Sequence, residues 1–260
     1  MSDQRFIHKE YFHLNVSRGV ERGAQHIHKF GANPELGTSF ETVWVVGGQY
    51  QWPESANTLT ISSTSADDVS TSFGASNIII QGLDANRQPI QETLSLNGTN
   101  TVTTVNDYFR INRMYVDDLG STANNATNLL HTNVGDITAV HNQYDYTVAQ
   151  IEANLGQTQL GLYSPPAGYC AYVHTWGFSI SNPSGTNIDG SGYLLVRENE
   201  NKGFRIADEL ILKDQAAVIE YTYPVKFNGT GLDFEVRAKS TSGTPPVTTH
   251  FDILLIKDEQ

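Results

Sequence analysis

His26 and His28 form a His-x-His pair, and on a strand that spacing puts both imidazoles on one face. With His8 and His13 upstream, a transition-metal site is one reading. No acidic or cysteine partner has a fixed spacing to these rings, so solvated or interface histidines are the other. A second candidate lies in "IIIQGLDANRQPIQETLSLNG", Ile78 to Gly98, where Asp84, Asn86 and Gln88 have the spacing of calcium ligands. A calcium loop of the EF-hand type needs oxygens at its first, third and fifth positions, glycine at the sixth and a bidentate glutamate at the twelfth. Counted from Asp84, the sixth residue is Pro89 and the twelfth is Ser95. A β-hairpin accounts for the stretch better: Asp84 and Asn86 favour a bend, and Pro89 restarts an extended chain. Ile90, Leu94 and Leu96 then share one face, with Gln91, Thr93 and Ser95 on the other. Glu92 falls on the apolar side and is expected near the sheet edge or paired with Arg110 or Arg113.

The other reactive groups point away from catalysis. Asp67–Asp68 and Asp117–Asp118 are adjacent carboxylates, and neighbours on a strand face opposite ways, which suits a two-carboxylate glycosidase poorly. Cys170 is the sole cysteine and sits in an apolar run, where a small buried residue is expected rather than a reactive thiol. Phosphate-binding glycine loops, a nucleophile elbow, a zinc-protease helix and paired zinc cysteines are all missing. No catalytic residue, metal or cofactor is expected. The aromatics form two groups, Trp44, Tyr50 and Trp52, then Tyr163, Tyr169, Tyr172 and Trp176. Core packing is their commoner use, while Trp52, Tyr163 and Tyr169 are the candidates for an aromatic surface that stacks on a sugar or anchors a partner.

These residues must be carried by strands. The 260 residues are 38% hydrophobic and only 17% charged, with Ser, Thr, Asn, Gln and Gly in place of the strong helix formers. "NTLTISS" (Asn57 to Ser63), "DYFRINRMYVDD" (Asp107 to Asp118) and "LDFEVRA" (Leu232 to Ala238) alternate with period two. In the last, Leu232, Phe234 and Val236 face one way, and Asp233, Glu235 and Arg237 the other. The pattern predicts an all-β chain of two β-sandwich, jelly-roll-like domains behind an extended N-terminal arm. The arm is placed at residues 1–37, the first sandwich at 38–147, a linker at 148–159 and the second sandwich at 160–260. In the arm, Phe12, Leu14 and Val16 share one face of a short strand. Glycines interrupt its second half, so the segment reads either as an edge strand plus loop of the first sandwich or as an arm reaching a neighbour. Val148 to Leu155 forms a short helix or a connecting strand. A net charge of −12 repels nucleic acid phosphates, no apolar run approaches the length of a membrane span, and the N-terminus lacks the apolar core of a signal peptide.

"NVSRGVERGAQHIHKFGANPELGTSFETVW", followed by "YQWPES", resembles the start of virion structural proteins of tailed bacteriophages, of the marine and cyanobacterial kind. "PPAGYCAYVHTWGFSIS", "GYLLVRE", "FEVRAKSTSG" and "HFDILLI" are similar to their C-terminal sandwich. The resemblance implies a non-enzymatic virion component made in the host cytoplasm. Its first expectation is a capsid decoration (cement) protein on the outside of the head; a tail or adaptor component and a glycan-binding fibre module are the alternatives. It implies the major capsid protein as partner and a homo-oligomer, with a trimer favoured. Phe6, Tyr11, Phe12, Arg18, His26, His28 and Phe30 are the candidate contacts to capsid or neighbouring subunits.

Overall fold

The computed structural model describes residues 12–121, 133–181 and 188–258. A six-residue helix, α1 (Phe12–Ser17), precedes β1 (Ala24–Asn33) and β2 (Glu41–Thr42). Next come β3 (Leu59–Ser63), β4 (Ala75–Leu83), β5 (Pro89–Ser95), β6 (Val102–Thr103), β7 (Arg110–Leu119), β8 (Ile137–His141) and β9 (Tyr146–Ile151). The chain closes with β10 (Leu162–Tyr163), β11 (Tyr169–Ile180), β12 (Asp189–Arg197), β13 (Arg205–Lys213), β14 (Ala216–Phe227), β15 (Asp233–Ser240) and β16 (Val247–Lys257). The all-β expectation holds. Among the described residues no helix is long and apolar enough to cross a membrane.

Two pairs of sheets enclose two apolar cores. One sheet has the order β1-β16-β11-β14 and the other β10-β15-β12-β13, with β2 against β15. Trp176, Phe178, Phe234, Val236 and Phe251 fill the space between them. This is the terminal sandwich, since it contains both ends of the described chain. The second pair, β6-β3-β8-β9 and β5-β4-β7, surrounds Leu59, Ile61, Ile78, Ile80, Met114 and Ile137. It is inserted between β2 and β10. Period-two alternation is why these segments are strands: β3 reads buried, half-buried, buried along Leu59, Thr60 and Ile61.

The N-terminal segment departs from the sequence reading. Phe12, Leu14 and Val16 lie on helix α1, not a strand; Val16 alone of the three is buried. Residues 24–33 are not an extended arm. They form β1, paired in continuous antiparallel register with β16 from Ala24↔Ile256 to Asn33↔Val247. This is an edge strand, but of the terminal sandwich rather than of the first sandwich in the chain. Gly31, read as a break, is a site of close approach. A Cβ there would lie 2.3 Å from the Gly161 nitrogen and 2.5 Å from the Val43 oxygen, so only glycine fits. At the expected linker, Tyr146–Ile151 is β9, hydrogen-bonded to β8, so the inserted sandwich runs past residue 147. "FETVWVV" yields only the two-residue β2, because its chain turns at once to bring Trp44 and Tyr50 into the inserted core.

The sandwiches meet along β15. Leu232, Phe234 and Val236 enter the terminal core, as their alternation requires. The opposite face is covered by the inserted sandwich, so Asp233 and Glu235 are also fully buried. A strand buried on both faces with carboxylates on one of them must be supplied with cations.

Candidate functional site

The cations come from both sandwiches. Arg110 opens β7 and grips Asp233 with both prongs, Nε to Oδ1 at 3.1 Å and Nη2 to Oδ2 at 3.1 Å. Arg197 ends β12 directly across the ladder from Asp233 and donates from Nε to Oδ2 at 2.7 Å. Arg87 donates from Nη2 to the same carboxylate at 3.1 and 3.2 Å, from Nη1 to the Leu232 carbonyl at 3.0 Å and from Nε to Glu200 at 2.6 Å. The Ser164 hydroxyl donates to Oδ1. Burial alone would raise the Asp233 carboxyl; the charge and hydrogen bonds of Arg110, then the charges of Arg87 and Arg197, outweigh it and hold the group below the ordinary carboxylate value.

Arg87 sits in the bend between β4 and β5, the stretch whose spacing suggests calcium ligands. The bend is a hairpin turn: the Asp84 carboxylate accepts the Asn86 and Gln88 amides, each at 2.8 Å, and Arg87 N–H bonds Asp84 O at 2.9 Å. Arg87 has φ 55°, the left-handed position such turns usually give to glycine or asparagine. An arginine there costs about 1 kcal/mol or more. Its four side-chain bonds hold it in place. Glu92 lies on edge strand β5, and among the described residues it pairs with no cation. Its carboxylate accepts the backbone amides of Val105 at 2.8 Å and Asn106 at 3.0 Å, fastening the loop before β7.

A second layer lies beside Asp233. Glu235 accepts Thr42 Oγ1 at 2.6 Å, Trp52 Nε1 at 2.9 Å and two bonds from Arg237 at 2.7 and 3.0 Å. The Trp52 ring lies 5.1 Å from the Arg110 guanidinium and 4.9 Å from that of Arg197. Trp52 is therefore half-buried junction packing, in a row with Trp44, Tyr50 and Phe204, rather than a platform facing solvent. Tyr163 is 6% exposed and belongs to the terminal core, because β10 pairs with β15 at the junction. Tyr169 is half-buried and accepts a 3.3 Å bond from Gln25. These three do not make one aromatic surface.

Of the candidate contact residues, Phe6 and Tyr11 lie outside the described residues, as does His8. Phe12 and Arg18 are exposed, and Phe30 is half-buried. His26 and His28 do share one face, the outer face of β1. Both ring systems meet one oxygen of Asp252, at 3.1 Å from His26 Nε2 and 2.8 Å from His28 Nδ1. Thr175 donates to the other oxygen. Among the described residues no group of three His, Cys, Asp or Glu side chains could hold a metal ion. The first aspartate pair is split in role: Asp68 is buried and ties Ser63, Ala75 and Gly135 together, while Asp67 is exposed; Asp117 and Asp118 are both exposed. Cys170 is buried on β11, and burial raises its thiol.

One group of exposed apolar residues lies on a single edge. Strand β13 ends one sheet of the terminal sandwich and β14 ends the other, and they are consecutive in the chain. Ile206, Ile211, Val218, Tyr223 and Val225 all face outward there, with Ile211 68% and Tyr223 86% exposed.

No protein-family model matches this sequence, and no curated protein matches it. Among solved structures, the chain overlays on the cowpea mosaic virus top component, the naturally occurring empty particles, at 8% identity and a TM-score of 0.23, over 76% of this chain and 80% of that one. It overlays on the infectious bursal disease virus Gt strain structure at 9% identity and a TM-score of 0.12, over 90% and 80%. At these TM-scores the overlays fix neither the fold nor the function of this chain.

Proposed function

We propose that this protein is a non-enzymatic virion component that binds the outside of a phage head as a symmetric homo-oligomer, in the manner of a decoration protein. The carrying observation is the β13–β14 edge. Long edge strands with outward isoleucine, valine and tyrosine are what monomeric proteins avoid, because the free edge invites pairing with another chain. Here two such strands lie side by side on a sandwich otherwise braced by a buried charge cluster. A rigid body with an adhesive edge suits a repeating lattice contact. The sequence resemblance to phage virion proteins supports the same reading. Phe12, Leu14, Arg18 and Val20, exposed on the N-terminal segment, with His26 and His28 on β1, form the proposed second contact patch toward capsid subunits.

Counting copies per particle by quantitative mass spectrometry, with imaging of the virion, tests this. Copies matching the capsid lattice are expected; a dozen or fewer would move the protein to the tail or its adaptor, and none would end the proposal. Paired substitutions Ile211→Glu and Val218→Glu should reduce the oligomer to monomer while the circular dichroism spectrum stays unchanged. An oligomer that survives them would remove β13–β14 as the contact.

A further inference from the structure

Three cationic side chains are buried among the described residues: Arg87, Arg110 and Lys29. The two arginines share Asp233. Lys29, 9% exposed, has no ion-pair partner among the described residues; its ammonium donates to the Asn112 carbonyl at 2.5 Å. It lines a groove of about 420 Å³ where β1 passes the outer face of β4 and β7. That volume is within the range of small-ligand pockets. The protein carries a net charge of −12, yet no acidic residue lines this groove. Its lining holds Lys29 and Arg113, interleaved with the amides Gln81 and Gln157; His26 and His28 also border it, but their rings are engaged by Asp252. Arg113 is already positioned: Nη2 donates to Gln157 Oε1 at 2.7 Å and the guanidinium lies 4.5 Å from the Tyr115 ring.

From this lining we infer that the groove is a binding site for a carboxylate-bearing sugar unit, with Lys29 and Arg113 on the carboxylate and the side-chain amides of Gln81 and Gln157 on the hydroxyls. Two convergent cations select an anion, and charge-assisted bonds from both would hold a carboxylate. A bare inorganic anion would leave most of the space empty. The amide-lined remainder matches a ring bearing several hydroxyl groups. The buried ammonium also explains why the site would favour a charged guest. Burial, then the charge of Arg113, pulls Lys29 from 10.5 down to about 7, and a bound carboxylate would restore its proton.

The test is calorimetric titration of the intact protein at pH 6.5 with D-glucuronate, with D-glucose, acetate and glutamate as comparators. Glucuronate should bind at least about tenfold tighter than each comparator, and its affinity should fall by up to about tenfold per pH unit above pH 7 as Lys29 loses its proton. Lys29→Met should weaken glucuronate binding about tenfold or more. Arg113→Gln, at an exposed position, provides the same reading should the lysine variant fail to fold. Glucuronate binding that neither substitution weakens would overturn the site. Acetate or glutamate binding as tightly as glucuronate would overturn the sugar assignment, and no binding by any probe would overturn both.

Discussion

Arg87 and Arg110 enter the junction between the sandwiches and meet Asp233; Lys29 enters the same junction from β1 and meets a carbonyl. The first arrangement is closed. Three guanidinium groups and a hydroxyl saturate one carboxylate, and Glu200 takes the remaining reach of Arg87. The second is open, because among the described residues its cation has a single acceptor, and a groove lies in front of it. Burial therefore has opposite results at two ends of one interface. Where the chain supplies the counter-charge, the cluster fixes how the sandwiches sit. Where it does not, the amine gives up its charge near neutrality or waits for a ligand to supply the anion.

The sharpest way to break the closed end is Asp233→Ala. It leaves three arginines facing one another around a fully buried position. Removing one partner of a buried ion pair costs about 3–5 kcal/mol, a large part of the stability of an ordinary domain. Urea unfolding should show that loss or a chain that no longer folds; a change under about 1 kcal/mol would mean that the arginines are solvated and the cluster does not lock the junction. The Asp233 carboxyl lies below its ordinary value, so its contribution is complete above the usual carboxylate range and is lost as pH falls through its folded value.

Lys29→Met probes the open end, with a smaller effect of the other sign. From about pH 7 up to 10.5 the unfolded lysine carries a proton that the native one has released. The unfolded state then binds more protons, so native stability rises with pH across that window, by up to about 1.4 kcal/mol per pH unit. Below pH 7 the native amine is charged as well and the full penalty stands. Methionine fills similar space without the charge. The variant should equal or exceed the natural protein near pH 7 and show a flatter stability profile between pH 7 and 9 in parallel urea titrations. An unchanged slope would show that Lys29 reaches water.

The difference between the two ends explains what could be read from the sequence. Strands carrying a clean two-residue period, such as Leu59–Ser63 and Leu232–Ala238, are legible because one face must be apolar. What alternation does not reveal is what covers the other face. Asp233 and Glu235 read as a solvent side, and they are the centre of the junction. The signal was present in Arg87, an arginine in the slot of a tight turn that favours glycine, but that position is visible only once the turn geometry is known. The union of β1 with β16 joins residues from opposite ends of the chain, and no local pattern encodes a partner so far away. Gly31 looked like an interruption for the same reason: the demand for glycine there comes from Gly161 and Val43.

The third probe sits at the exposed rim of the open end, where partial burial should make charge interactions weak. Asp252 faces His26 and His28 across the β1–β16 ladder with its side chain 23% exposed. Burial pushes its carboxyl up; the hydrogen bonds from Thr175 and His28, and the charges of His28 and His26, bring it below the ordinary value. A carboxylate of this kind stabilises the fold above the usual carboxylate range and loses that contribution as pH falls through its folded value. His28→Ala removes one hydrogen bond and the nearer ring. The Asp252 carboxyl should move upward in a carbon-detected NMR titration, and stability at pH 5 should fall by about 0.5–1 kcal/mol, the scale of partly solvated pairs. A loss as large as that of Asp233→Ala would place this rim inside the locked part of the junction and erase the contrast between its two ends.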